Sequence, residues 1–338
     1  MRFAFTDDQL MFRDAVADLL GKECPPEKVR WSWSDDNGRD PQLWSALSAM
    51  GVVGLTAPEA SGGLGMNEVD LLPILTEAGR AALPAPLLET TAVVIPLLAE
   101  SAPDALAATW LPALCEGSAI ATVSLEGQPF VSDAHIADLL VAERAGSLFA
   151  VPGDKLRLTP QVSVDGARRL FAAEWDEADA ELIASGDVAA AAVALAFNRG
   201  AVAAAAELIG MAERMIAMTV EYVVARQQFG VPIGSFQAVK HHLADAELKV
   251  SFARPMVWNA AYVLANGGED LDRSVSMAKC FASDAAEVVA RKALQCHGAI
   301  GYTTEHDLHF WLKRSWALAA AWGDASWHRR RVAALLLD

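Results

Sequence analysis

The sequence predicts a mostly α-helical chain with a small β domain in its middle. Three observations carry this. Hydrophobic residues make up 53% of the 338, much of that share is Ala and Leu, and Tyr occurs only three times, a helix-leaning balance. From about residue 187 onward the apolar pattern has helical periodicity over long stretches. Between about 118 and 186 the texture changes to short β-like runs separated by Gly, Pro and Asp, which predicts a separate sheet region. We place the domains at 1–117 (helical), 118–186 (β) and 187–338 (helical bundle).

The elements follow in order. Thr6-Asp-Asp-Gln9 is a capping-box pattern that opens a helix running to about Leu20, with Phe12, Val16, Leu19 and Leu20 as its stripe. Asp40-Pro41 starts a second helix that closes near Gly51. Pro58 to Gly65 is a glycine-rich loop; no strand precedes it in a βαβ context, so we read it as structural. Helices follow over Glu68–Gly79, Glu89–Ala99 and Pro103–Glu116. The β-like runs are 119–123, 138–141, 147–151 and 169–172. A long helix covers 188–228, with Asn198-Arg199-Gly200 as a point of kinking or interruption. Ser235 is the expected N-cap of the next helix, which runs to about Leu264 and stops at Asn266-Gly267-Gly268. Helices over 272–296, 305–321 and 324–337 complete an antiparallel bundle.

The net charge of −16 argues against nucleic acid or an anionic membrane as partner. No uncharged apolar run reaches the roughly 18–20 residues of a membrane span, and the N-terminus has no signal-peptide pattern. Cys24, Cys115, Cys280 and Cys296 show no paired spacing and read as reduced thiols, so the expected location is cytoplasmic.

Two motifs carry the function. The first is Arg226-Gln-Gln-Phe229-Gly-Val-Pro-Ile-Gly-Ser-Phe236-Gln237-Ala-Val-Lys240, between two long helices. An Arg that forks onto a pyrophosphate, beside an aromatic ring and Gln amides, suits a planar anionic ligand; the plain alternative is a helical hairpin with a surface Arg. The second is Leu294-Gln295-Cys-His-Gly298-Ala299-Ile-Gly301-Tyr302. Together, in this order and spacing, they resemble the acyl-CoA dehydrogenase family of flavoproteins over most of the chain.

The resemblance implies that family's fold: a helical N-terminal domain, a β middle domain, here reduced, and a C-terminal four-helix bundle. It implies FAD as cofactor, with Arg226, Gln228, Phe229, Phe236 and Gln237 on one flavin and Gln295, Gly298 and Ala299 acting on that of the neighbouring site. It implies α,β-dehydrogenation of an acyl-CoA by a glutamate base. Here the sequence departs. Of the two family positions for that base, one is occupied by Trp322 in Ala321-Trp322-Gly323, and the other falls on Gly200. Glu207 lies two helical turns from Gly200, yet its preferred reading is a solvated or interfacial Glu; Glu126 and Asp324 rank below it. The middle domain has Val123-Ser-Leu-Glu126-Gly-Gln-Pro-Phe130-Val-Ser-Asp133 where the family has a flavin-holding segment, and the strands after it look largely missing.

A missing base resembles the incomplete subunit of the heteromeric acyl-CoA dehydrogenases of bacterial steroid side-chain degradation. There two family members form a 2+2 heterotetramer and the partner supplies the base. The implied partners are an acyl-CoA, a second family subunit and an electron acceptor such as electron-transfer flavoprotein. The alternatives are a homomeric enzyme using Glu207 and a flavin-free scaffold subunit. The Glu305-His306-Asp307-x-His309 run has metal-like spacing, but the resemblance accounts for it as a loop near the flavin, and no metal is expected. Trp311, Trp316, Trp322 and Trp327 read as core or interface aromatics.

Overall fold

The computed structural model describes residues 3–337; Met1 and Arg2, the start of the N-terminal reading, and Asp338 lie outside them. The N-terminal helices are α1 (Asp7–Glu23), α2 (Pro26–Ser34), α3 (Pro41–Ala49), α4 (Glu68–Arg80), α5 (Ile95–Ser101) and α6 (Asp104–Cys115). The capping box at Thr6 forms in both directions: Gln9 N–H donates to Thr6 Oγ1 at 3.2 Å, and Thr6 N–H to Gln9 Oε1 at 2.8 Å. The sequence reading missed α2, a nine-residue helix opened by a Pro pair. Pro at the first helical position is compatible with a helix start, but a Pro pair followed by alternating Trp and Ser reads as a break. The helix expected over Glu89–Ala99 is instead a π-helical segment, Leu88–Val94, leading into α5. All seven of its residues are buried. Its threonines turn outward to neighbouring backbone, Thr90 Oγ1 donating to Ala121 O at 2.7 Å and Thr91 Oγ1 to Val53 O at 3.0 Å. Such π segments concentrate at functional sites.

The β domain holds more strands than expected: β1 (Ala121–Ser124), β2 (Val131–Ser132), β3 (Leu139–Arg144), β4 (Ser147–Pro152), β5 (Arg157–Gln161), β6 (Leu170–Glu174) and β7 (Glu181–Ser185). They form a four-stranded sheet, β1-β3-β4-β7, and a three-stranded one, β2-β6-β5. The strands after residue 133 are therefore present. β5 is an edge strand with Pro160 in it and mostly exposed residues, so it lacks the apolar alternation that marks a strand.

The C-terminal domain contains α7 (Gly186–Ala225), α8 (Gln237–Asn266), α9 (Leu271–His297), α10 (Leu308–Ala320) and α11 (Ala325–Leu337). α7 is continuous through Asn198-Arg199-Gly200, contrary to the expected kink. The polar pair there is satisfied by side chains: Arg199 forks onto Glu100 at 2.7 and 2.5 Å and donates to Glu68 at 2.8 Å, while Asn198 donates to Asp272 at 2.8 Å. α7 and α4 touch backbone to backbone at Gly210 and Gly79, where an added Cβ would lie 1.8 Å from Thr76 O and 2.1 Å from Glu207 O. By length and composition α7 is apolar enough to cross a membrane, more so than the sequence reading allowed, but most of that stretch is packed inside the protein. All four cysteines are buried and unpaired.

Candidate active site

A cleft of about 640 Å³ opens between the β domain and the bundle. Its β-side wall is the 126–130 turn, the 162–164 loop and Arg168; its helical wall includes Phe197, Trp316, Trp322 and Trp327. Three of the four tryptophans read as core or interface aromatics thus face this cleft. Phe197 packs on Trp327 at 5.0 Å and on Trp322 at 6.1 Å between ring centroids.

Trp322 is buried and sits in the left-handed region at φ 56°, followed by Gly323 at φ 81°. Two buried bases hold this turn. His328 Nε2 donates to Trp322 O at 2.8 Å. Lys279 Nζ donates to Ala319 O at 3.1 Å and to Gly323 O at 3.0 Å. Burial drives Lys279 down to about 7 and His328 down to about 4, with the Trp322 carbonyl opposing the latter. Both are thus poised toward their neutral forms by desolvation.

The indole of Trp322 lies against Gly200. A Cβ on Gly200 would meet Trp322 Cδ2 and Cε3 at 2.4 Å. The two base positions implied by the resemblance therefore converge in space, and an indole on a glycine fills them. The cleft's carboxylates are committed elsewhere. Glu126 Oε1 accepts from Ala145 N–H at 2.9 Å, and Asp324 Oδ1 accepts from Trp327 N–H at 2.7 Å at the start of α11.

Glu207 is not solvated but buried where the domains meet. It is 8% exposed and borders a separate cavity of about 30 Å³ together with Glu89, Arg39, Arg168 and Arg314. Arg168 also lines the main cleft, but Glu207 does not. Arg39 pairs with Asp133 and Arg314 with Asp165, and Arg168 lies 3.6 Å from Glu89. Burial pushes the Glu207 carboxyl up to about 7; Arg314 opposes the rise and Glu89 adds to it. The helix-face argument had pointed to Glu207, but nothing local in an Ala-rich helix signals its burial.

The residues assigned to flavin all lie on the surface. Arg226, Gln228, Phe229, Phe236, Gln237, Gln295, Gly298 and Ala299 are exposed. The first motif is a β-hairpin, β8 (Gln227–Gln228) with β9 (Val231–Pro232). Phe229 and Gly230 turn it with φ of 54° and 80°, the left-handed pair of a type I′ turn. Phe229 is 92% exposed and meets the edge of Phe236 at 6.2 Å. Arg226 makes no side-chain hydrogen bond or ion pair among the described residues. Ser235 does not cap α8; its hydroxyl donates to Pro232 O at 2.7 Å, and the helix begins after Phe236.

The structure brings this hairpin to the same end of the bundle as the Gln295–Ala299 loop. Tyr222, one turn before Arg226, stacks on His297 at 4.4 Å and 20°. The Glu305–His309 run disperses its side chains: Asp307 pairs with Arg30, and His309 packs edge-on against Trp33. An exposed Arg226, with no side-chain partner among the described residues, beside projecting rings and amides fits the anionic, aromatic end of FAD.

This fold and site define an acyl-CoA dehydrogenase-type protein. Family models for the acyl-CoA dehydrogenase N-terminal and C-terminal domains match residues 6–118 and 189–337, and the chain belongs to the acyl-CoA dehydrogenase family. It is 36% identical to acyl-CoA dehydrogenase IpdE2 of Mycobacterium tuberculosis, over 91% of each chain. Against IpdE2 of Mycolicibacterium smegmatis it is 34% identical over 97% of this chain and 99% of the other. Among solved structures, the ChsE4-ChsE5 complex from Mycobacterium tuberculosis contains a chain with TM-score 0.89 at 26% identity, covering 100% of this chain and 99% of that one. Butyryl-CoA dehydrogenase from Megasphaera elsdenii shares the fold, with TM-score 0.85 at 20% identity and full coverage of both chains.

Proposed function

We propose that this chain is the base-lacking subunit of a heteromeric, FAD-dependent acyl-CoA dehydrogenase, and that its substrate is a steroid side-chain CoA ester. The carrying observation is the convergence of Gly200 and Trp322, which puts an indole against a glycine at the two positions where the family carries its base, while the cleft's own carboxylates, Glu126 and Asp324, are engaged by backbone N–H groups. The steroid assignment draws on the resemblance to the base-lacking subunits of steroid side-chain degradation, and the heteromeric assignment on the similarity to a chain of the ChsE4-ChsE5 complex.

FAD, when bound, accepts the substrate's β-hydride. This chain's own share is binding and orientation. Arg226 offers a planar fork of donors to the pyrophosphate; Phe229 and Phe236 offer ring surface; Gln228, Gln237 and Gln295 offer amides; the Gly298–Ala299 turn offers backbone. Both loops serve one flavin, seated mainly in a second family member that supplies the glutamate base. A 2+2 heterotetramer in the cytoplasm, passing electrons to an acceptor such as electron-transfer flavoprotein, completes the reading.

The test is flavin per complex, by visible absorbance, for this chain co-purified with its family partner. Arg226→Ala should lower flavin occupancy severalfold with the subunits still associated; unchanged flavin content would refute the shared site and leave a scaffold role. The raised Glu207 carboxyl favours a second reading, a homomer with Glu207 as base, for which a general base near neutrality is suited. Its small, separate cavity argues against contact with substrate. Full turnover by a homomer carrying Glu207→Gln would dispose of it.

A further inference from the structure

We propose that Tyr222, His297 and His306 form an aromatic clasp that positions the two flavin-facing loops against each other, making them positioning residues for FAD affinity; this rests on the shared-flavin reading above. Each ring stands at a different helix end. Tyr222 is in the last turn of α7, and its carbonyl accepts from Arg226 N–H at 2.8 Å, so it anchors the first residue of the hairpin. His297 is the last residue of α9, directly before Gly298 and two after Gln295. His306 precedes α10 and its Nδ1 accepts from Leu308 N–H at 3.2 Å. The rings meet as a unit: Tyr222 stacks on His297, and His306 is set edge-on to His297 at 4.6 Å and to Tyr222 at 6.0 Å.

The loops they join are exposed, and this contact adds, at the loops themselves, to the packing of α7, α8 and α9 that sets their relative placement. An extended cofactor that touches both loops binds tightly only if they are held in register, because loop ordering counts against affinity.

The clasp has a defined protonation state. His297 Nδ1 donates to Ala293 O at 2.8 Å, which leaves Nε2 as a bare lone pair, and Nε2 is buried with no partner. His306 Nδ1 is likewise an acceptor. His306, whose Nδ1 accepts, must therefore be neutral, and burial holds both rings below the usual histidine range. The groups facing them are each other, Tyr222, and Asp307, whose carboxylate is engaged by Arg30. Acid places a proton on a partnerless Nε2 and removes the acceptor for Leu308 N–H. Since folding depresses these histidines, the clasp is intact above their ordinary value of about 6.5 and weakens as pH falls below it.

The experiment measures FAD affinity, by flavin fluorescence, in the complex with the family partner. Tyr222→Phe keeps the ring and should stay within about twofold of wild type. Tyr222→Leu keeps bulk but not the stack and should weaken FAD by about fivefold to tenfold, the scale of one aromatic pair, with subunit association unchanged. Arg226→Ala is measured beside them. If it releases FAD while Tyr222→Leu holds it within twofold, the clasp is refuted; if neither moves FAD, the shared-flavin reading fails and the clasp with it. Should Tyr222→Leu fail to assemble, His306→Asn decides. Asn retains an acceptor for Leu308 N–H and cannot titrate, so the acid weakening of FAD affinity should shrink to the share that His297 carries; a wild-type pH curve in that variant overturns the proposal.

Discussion

Gly200→Ala should be harmful or harmless depending on what stands at position 322. The added methyl would lie 2.4 Å from Trp322 Cδ2 and Cε3 and 2.6 Å from Cε2. The indole has little room to retreat, since His328 holds its carbonyl and Lys279 holds the next one. Overpacking of this kind costs about 1–3 kcal/mol. Against it stands the helix gain of replacing Gly by Ala inside α7, about 1 kcal/mol. The net change in the wild-type background is then between roughly neutral and about 2 kcal/mol destabilising. In a Trp322→Leu background the six-membered ring is gone, the clash goes with it, and Gly200→Ala should stabilise by about 1 kcal/mol. The coupling is about 1–3 kcal/mol, read from a double-mutant cycle of urea midpoints followed by far-UV circular dichroism at constant m-value. An effect of Gly200→Ala equal in the two backgrounds to within about 0.5 kcal/mol would show that the positions do not meet. The inference that an indole fills the base position would then fall.

Two pH predictions have opposite signs. Glu207 is raised from 4.5 to about 7, so its share of stability is fully present below pH 4.5 and is lost as pH rises through about 7; thermal scans from pH 5 to 8 should show a falling midpoint that Glu207→Gln flattens. Lys279 is lowered from 10.5 to about 7, so its share grows from about pH 7 toward 10.5 and is lost as pH falls through about 7; Lys279→Met should remove that alkaline gain in thermal scans carried from pH 7 to about 10, while loosening the Trp322 turn, read as faster acrylamide quenching of tryptophan fluorescence.

What was legible in the sequence was local. Thr6 with Gln9 and Asn266 with Gly267 mark helix ends through chemistry within a few residues. The two motifs that carry the family resemblance were legible as contiguous text. What failed was non-local or lacked apolar pattern. β5 is a mostly exposed edge strand, and α2 is a short helix opened by prolines. Ser235 satisfied a sequence rule for capping, but its hydroxyl found a nearer carbonyl in the preceding turn. The meeting of Gly200 with Trp322 could not be read from spacing, because α7 and the turn after α10 are brought together only by the packed bundle. Reading either position alone gave a missing base; only the fold shows that the two gaps are one filled space. The same holds for Tyr222 and His297, whose stack unites motifs that the sequence reading had sent to different flavins.

The buried charges between the domains follow from one electrostatic constraint. Arg39, Arg168 and Arg314 face Glu89, Asp133, Asp165 and Glu207 around the smaller cavity, three cations against four carboxylates. An uncompensated ion in such a place costs several kcal/mol or more, so the excess carboxylate has to carry a proton. Glu207 and Glu89 are the two pushed upward by burial, and each also feels a neighbouring carboxylate. Glu207, raised to about 7, is the member placed to carry that proton, and with it the cluster balances. The members come from the helical N-terminal domain, the β domain and the bundle, so all three domains dock through a single charge-balanced set. A cavity of about 30 Å³ has room for about one or two waters and for no hydrocarbon. Arg168 is the wall between it and the larger cleft. The cleft offers a ligand apolar surface on both walls, with Phe130, Val162 and Val164 on the β side and Phe197, Trp316, Trp322 and Trp327 on the helical side.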